Sequence, residues 1–188
     1  MCALALALGV AACGDHHPSL AGGPSNLRNA ADANNNGGYV DAGPITYQLQ
    51  ISRELNQYGT EDSAYVKGLP AGVSAPNASQ LWYGVFLWAK NQTAKPQTTT
   101  DSFELQDTQG NTYYPIKVNP EINEFAWTAQ TLQPNETEPG PDTVASDGPT
   151  QGGLLLFKVS TSVYANRPLM LYILGSGGKK LGSISLDS

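Results

Sequence analysis

From Ile45 onward, apolar side chains recur at every second position. In the run ITYQLQISREL the residues Ile45, Tyr47, Leu49, Ile51 and Leu55 alternate with Thr46, Gln48, Gln50, Ser52 and Glu54. A period of two predicts a half-buried strand with one face on a core. The run LWYGVFLWAKN at 81–91 is apolar on both phases, with Trp82, Phe86 and Trp88 on one side and Leu81, Tyr83, Val85 and Leu87 on the other. Such a strand is central and covered twice. Between the two runs, Thr60 is placed to cap one or two helical turns through Lys67, which Gly68 and Pro70 would end.

Shorter alternating runs follow. DSFELQD and NTYYPIKV flank Thr108-Gln109-Gly110, which predicts a hairpin with glycine at a positive φ, and Pro115 predicts an edge or a bulge. Residues 119–126 read as a short helical turn and AWTAQTLQPNE as a strand. Residues 133–153 hold Pro134, Pro139, Pro141 and Pro149 among Glu, Asp and Gly, and predict a long surface loop. GLLLFKVS, PLMLYIL and KLGSISLD complete the pattern, separated by Asn166-Arg167 and by Gly175 to Gly178. About seven or eight strands with almost no helix predict an all-β fold, an antiparallel immunoglobulin-like β-sandwich over 45–188.

The N-terminal part has a different pattern. Ala3 to Val10 is apolar but shorter than the roughly 20 residues a spanning helix needs. It has the length of the apolar core of an export signal. Val10-Ala11-Ala12-Cys13 has the form of a bacterial lipobox, in which small residues admit a signal peptidase and the Cys13 thiol takes up a diacylglyceryl group. No Lys or Arg precedes the apolar run, which predicts a start codon further upstream. Residues 14–44, rich in Gly, Ala, Asn, Asp and Pro without an apolar period, read as a flexible linker with a reach of roughly 30 Å. The expected organisation is signal peptide 1–12, lipidated cysteine and linker 13–44, and folded domain 45–188.

Composition narrows the partners. The 188 residues carry a net charge of -6 with only 14% charged side chains, and the ten Lys and Arg are scattered. Phosphate binding needs clustered cations, so nucleic acid is not an expected partner. The surface must be mostly Gln, Asn, Thr and Ser.

The order LWYGVFLWAKNQTAKPQTTTDSFELQDTQGNTYYPI, then GGLLLFKVSTSVYANRPLMLYI and a closing SISLD, resembles the immunoglobulin-like domains of bacterial lipoproteins of the telokin-like, DUF4352 type. The aromatic strand ends in Lys90-Asn91, Pro96 follows, and a Phe-x-Leu-x-Asp strand meets a Gly-centred hairpin and a Tyr-x-Pro. The resemblance spans about 45–187, implies the sandwich fold, and implies no particular ligand. The residues 60–69 and 133–153 depart from it.

Little catalytic chemistry is available. The only histidines, His16 and His17, and both cysteines, Cys2 and Cys13, precede the folded part, which removes Ser-His, Cys-His and His-metal mechanisms from the domain. Glu61 with Asp62, and Glu121 with Glu124, are the carboxylate pairs that acid-base work would use, and each sits where acids ordinarily cap or solvate a helix start. No cofactor, metal or catalytic residue is expected. Asn77, Asn91 and Asn135 head glycan-acceptor triplets, which a lipobox makes incidental. The expected protein is a non-catalytic binding module held by a lipid on the extracytoplasmic side of a cell membrane, with an unknown protein or envelope component as partner. The second expectation is a small-ligand carrier with a pocket in or beside the sandwich. Tyr58, Tyr65 and Tyr83 are candidate contact residues, with coverage of the core rim as their alternative role.

Overall fold

A computed structural model describes residues 31–33 and 39–186. Val10, Ala11, Ala12, Cys13, His16 and His17 lie outside the described residues. In chain order the elements are β1 (Ala31–Ala33), β2 (Tyr39–Ala42), β3 (Ile45–Leu55), α1 (Asp62–Tyr65), β4 (Gln80–Asn91), β5 (Gln97–Thr98), β6 (Phe103–Gln106) and β7 (Thr112–Tyr113). They continue with β8 (Thr131–Leu132), β9 (Thr137–Glu138), α2 (Val144–Asp147), β10 (Gly153–Ser160), β11 (Met170–Leu174) and β12 (Lys180–Ser185).

Two sheets face each other. One has the order β10-β4-β3-β2 with β9 also on β4; the other runs β1-β12-β11-β6-β7, and β5 pairs with β8 in a separate ribbon. Among the described residues every strand pairing is antiparallel except that between β1 and β12, and the isolated bridge from Ala126 to Leu154 is parallel as well. The triplet β3-β4-β10 packed on β6-β11-β12, with the chain crossing between sheets after β4, β7 and β10, is the arrangement of an immunoglobulin-type sandwich. Between the sheets lie Tyr47, Leu49, Val85, Leu87, Phe103, Leu105, Phe157, Leu171, Ile173 and Ile184, all at most 2% exposed. Tyr47, Phe103 and Trp127 meet edge-on or tilted at centroid distances of 5.7–6.4 Å, a geometry aromatic quadrupoles favour.

The other face of β4 is covered as well. Trp82 and Phe86 join Leu55, Tyr65, Val118, Leu154 and Leu156 in a second apolar cluster, roofed by the segments around α1 and 116–126. This covers the outer phase of 81–91 at Trp82 and Phe86, whereas Trp88, expected under the same cover, lies outside the cluster.

Several expectations are corrected. The phase of β3 breaks at Gln50, which is skipped in the register: Leu49 faces Leu87 and Ile51 faces Phe86. This bulge turns Ile51 to the outside at 40% exposure and moves Leu55 into the second cluster, although both were expected beside Leu49. The strands β1 and β2 lie inside the segment read as linker, so the folded part begins before residue 45; runs of three and four residues are too short for a periodic signal. The helix expected from Thr60 to Lys67 is only Asp62–Tyr65, and its N-cap is Glu61. Residues 119–126 form turns rather than a helix, and the buried Asn123 side chain ties them to the end of α1. Its Nδ2 donates to the carbonyls of Tyr65 and Lys67, and its Oδ1 accepts from Phe125 N–H. Of the expected 126–136 strand, Thr131–Leu132 forms a strand and Ala126 makes a single bridge to Leu154, while Trp127 donates its indole N–H to Thr100 O at 2.8 Å.

The 133–153 segment is not a solvent loop throughout. It contributes β9 to the edge of β4 and α2, capped by reciprocal Thr143 and Ser146 side-chain bonds. The hairpin at 108–110 has Gly110 at φ +83, as expected. Asp107 organises that turn by accepting from the N–H groups of Gln109 and Asn111 and from the side chains of Asn111 and Asn166. Burial alone would raise the Asp107 pKa, but these donors outweigh it and hold the carboxyl below its usual range.

Candidate functional site

The sequence-derived contact residues divide. Tyr58 is 88% exposed, whereas Tyr65 is fully buried and Tyr83 is 3% exposed. Tyr65 and Tyr83 therefore offer no surface to a partner. Tyr65 fills the second cluster, edge-on to Phe86 and Phe125 at 5.0 and 4.7 Å, and Tyr83 donates its hydroxyl to Ser52 Oγ.

The carboxylates Glu61 and Asp62 are tied to structure. Arg53 Nη2 lies 2.7 Å from Asp62 Oδ1 and 3.3 Å from Glu61 Oε1. Hydrogen bonding to Arg53 holds the Asp62 pKa low. Glu61 Oε1 also accepts from Tyr65 and Thr150, so this cluster joins β3, α1 and the segment after α2. Glu121 and Glu124 lie exposed on the 119–126 turns. Among the described residues no group of three or more His, Cys, Asp or Glu is arranged to hold a metal ion.

Asn91 heads one of the glycan-acceptor triplets and is fully buried. Its Nδ2 donates to the carbonyls of Lys95 and Leu132 at 2.8 and 2.9 Å, and its Oδ1 accepts from Thr93 N–H and Oγ1–H. All its capacity is used inside the fold, and no glycan can reach it. Replacing Asn91 by Ala should cost about 2 kcal/mol, because buried backbone carbonyls lose their donors. A urea midpoint unchanged from wild type would contradict this assignment.

A more open feature lies on the outer surface of the β2-β3-β4-β9 end of the first sheet. Cross-strand pairing fixes it. Tyr39, Gln48 and Trp88 form one row, and Asp41, Thr46, Lys90 and Thr137 form the next. Alternation sends their neighbours Val40, Tyr47 and Ala89 inward. A depression of about 160 Å³ is lined by Tyr39, Gln48, Trp88, Lys90, Gln92 and Thr137, among others. Tyr39 is 57% exposed. The buried Thr46 hydroxyl donates to Asp41 Oδ1 at 2.6 Å and accepts from Gln92 Nε2 at 3.1 Å, which orients the Gln92 amide. Gln50, the bulge residue, donates to Gln48 Oε1 at 2.9 Å. Among the described residues Lys90 forms no ion pair and the buried indole N–H of Trp88 has no hydrogen-bond partner. Sequence reasoning marked Trp88 only as a core residue on β4. Its place beyond the reach of the second cluster depends on where the α1 and 116–126 segments end.

Beneath this face, on the inward side of β9, lies Glu138, 4% exposed. Burial raises its pKa from the ordinary 4.5 to about 7, although Thr99 Oγ1 donates to it at 2.7 Å. Tyr47, likewise pushed up by burial to about 12, accepts from Thr100 N–H at 3.1 Å.

Fold and face together define an all-β antiparallel sandwich with an aromatic and polar depression on one outer sheet surface. No family model matches the chain, and no curated protein matches it. Three solved structures are similar to it. The yjhA protein of Bacillus subtilis is 12% identical, with a TM-score of 0.49 over 84% of this chain and 99% of that one. A candidate lipoprotein, ycdA, from Bacillus subtilis subsp. subtilis strain 168 is 14% identical, with a TM-score of 0.44 over 77% of this chain. The matched part is 36% of the ycdA chain. An uncharacterised β-sandwich protein of Clostridium difficile 630 is 11% identical, with a TM-score of 0.41 over 84% of this chain and 96% of that one. Among the described residues no helix is long and apolar enough to cross a membrane.

Proposed function

We propose that this chain is a lipid-anchored binding module of the extracytoplasmic envelope that captures its ligand on the outer face around Trp88 and does no chemistry on it. The observation that carries the reading is the division of one sheet surface. The half at Trp82 and Phe86 is sealed by its own chain, and the half at Trp88, Gln48 and Lys90 is left open with oriented polar groups. The Val10-Ala11-Ala12-Cys13 sequence and the DUF4352-type pattern support the anchor, and the acyl chains would hold the protein by about 0.8 kcal/mol per buried CH₂. The alternative, a small-ligand carrier with a pocket in or beside the sandwich, would use the same outer depression, since between the sheets Tyr47, Phe103, Phe157 and Trp127 pack together.

Two measurements test it. Intact mass of membrane-extracted protein should show a mature N-terminus at an acylated Cys13, and any other mature terminus refutes the anchor. Residues 13–188 carrying Cys13→Ser should co-sediment with isolated envelopes and lose this on Trp88→Ala. Protein that stays in the supernatant refutes the binding module.

A further inference from the structure

The composition of the Trp88 depression points to a ligand class. We infer that it binds an uncharged saccharide ring, an assignment that rests on the binding-module reading above.

Three features converge on this chemistry. The first is the pair of aromatic rings, Trp88 on β4 and the exposed Tyr39 on β2, both in the row that Gln48 bridges. Ring faces of this kind take the C–H face of a pyranose, which is apolar and carries partial positive charge against the negative π-face. The second is the mixture of hydrogen-bonding groups at the rim. Lys90 donates only; Thr137, whose hydroxyl donates to Pro139 O, can accept; the Gln92 amide, whose Nε2 donates to Thr46, has an acceptor in Oε1. A sugar hydroxyl both donates and accepts, so it satisfies each of these. An acyl chain would leave them unpaired, at about 1–3 kcal/mol for each group buried.

The third feature is charge. Asp41 and Lys90 stand in the same cross-strand row, on either side of Thr46, so the face carries no net charge from this pair. Lys90 is the one charged residue among those lining the depression, a single cation where proteins that bind polyanions cluster several. The chain's net charge of -6 opposes a polyanion further. The Trp88 indole N–H, buried and without a hydrogen-bond partner among the described residues, lacks an acceptor of the kind a sugar oxygen is.

The test uses residues 13–188 with Cys13→Ser, which keep every described strand. Soluble neutral oligosaccharides of glucose, galactose and N-acetylglucosamine, of graded length, are titrated while tryptophan fluorescence and heat are recorded. At least one should bind saturably, with an affinity little changed by added salt. Trp88→Ala should weaken it roughly tenfold or more, about 1.4 kcal/mol. Tyr39→Ala, at an exposed site where the fold is not at stake, should weaken it several-fold. Saturable binding that survives both substitutions overturns the assignment, as does failure of every sugar to bind, or a steep salt dependence. If no sugar binds while envelope co-sedimentation persists and still depends on Trp88, the binding module stands and the ligand class falls. If co-sedimentation is also absent, both fall.

Discussion

Raising the pH from 5 to 8 should destabilise this protein, and Glu138→Gln should remove the effect. Glu138 is buried under β9 with a pKa of about 7, against an ordinary value of 4.5. Between those values the folded state holds a proton that the unfolded state has released. Folding stability therefore falls as pH rises through that window, and the loss is complete above the folded value. The full cost is about 3 kcal/mol. Glutamine keeps the volume, and its Oε1 still accepts from Thr99 Oγ1, so the variant should match wild type near pH 4 and exceed it at pH 8 by up to that amount. Urea unfolding at both pH values measures this. A wild-type midpoint indifferent to pH, or a variant with the wild-type pH slope, would show that Glu138 does not carry this proton.

Tyr65→Ala should be strongly destabilising, as costly as truncating an aromatic of the inter-sheet layer. The ring is fully buried, packs edge-on against Phe86 and Phe125, and lies beneath the Arg53 guanidinium at 5.8 Å. Removing an aromatic side chain from such a site costs about 3–5 kcal/mol. For a domain of this size, that lowers Tm by roughly 6–20 °C. The hydroxyl adds little, since its bond to Glu61 is 3.2 Å and Glu61 keeps Arg53 and Thr150. Tyr65→Phe should stay within about 1 kcal/mol of wild type. A Tyr65→Ala protein with near wild-type Tm and altered envelope binding would instead restore Tyr65 to the surface.

These two residues mark where the sequence could be read and where it could not. The strand at 81–91 was legible on both faces, because a run apolar on both phases has one physical solution in a sandwich. The hairpin at Gly110 was legible for a similar reason, since positive φ selects glycine. Gln50 was not. A bulge inserts one residue into a pairing pattern, and nothing in the side chain of Gln50 announces it. The same is true of Glu138, which sits among prolines and acids whose composition says solvent. Its burial comes from two backbone pairings with β4 that no local window contains. Tyrosine is ambiguous by nature, having an apolar body and a polar tip, so Tyr58, Tyr65 and Tyr83 could be told apart only once their neighbours in space were known. Trp88 shows the converse: its strand was read correctly, but the open surface above it is set by where distant segments stop.

The bulge at Gln50 also separates two kinds of selection. On one side of it, Leu55, Trp82 and Phe86 are locked into a packed cluster where change is costly. On the other, Gln48, Lys90 and Gln92 project from the sheet without entering either apolar cluster. Substitutions there can accumulate with little effect on folding. One extra residue in a strand thus leaves the domain a face whose specificity can drift or be re-engineered while the scaffold stays constant.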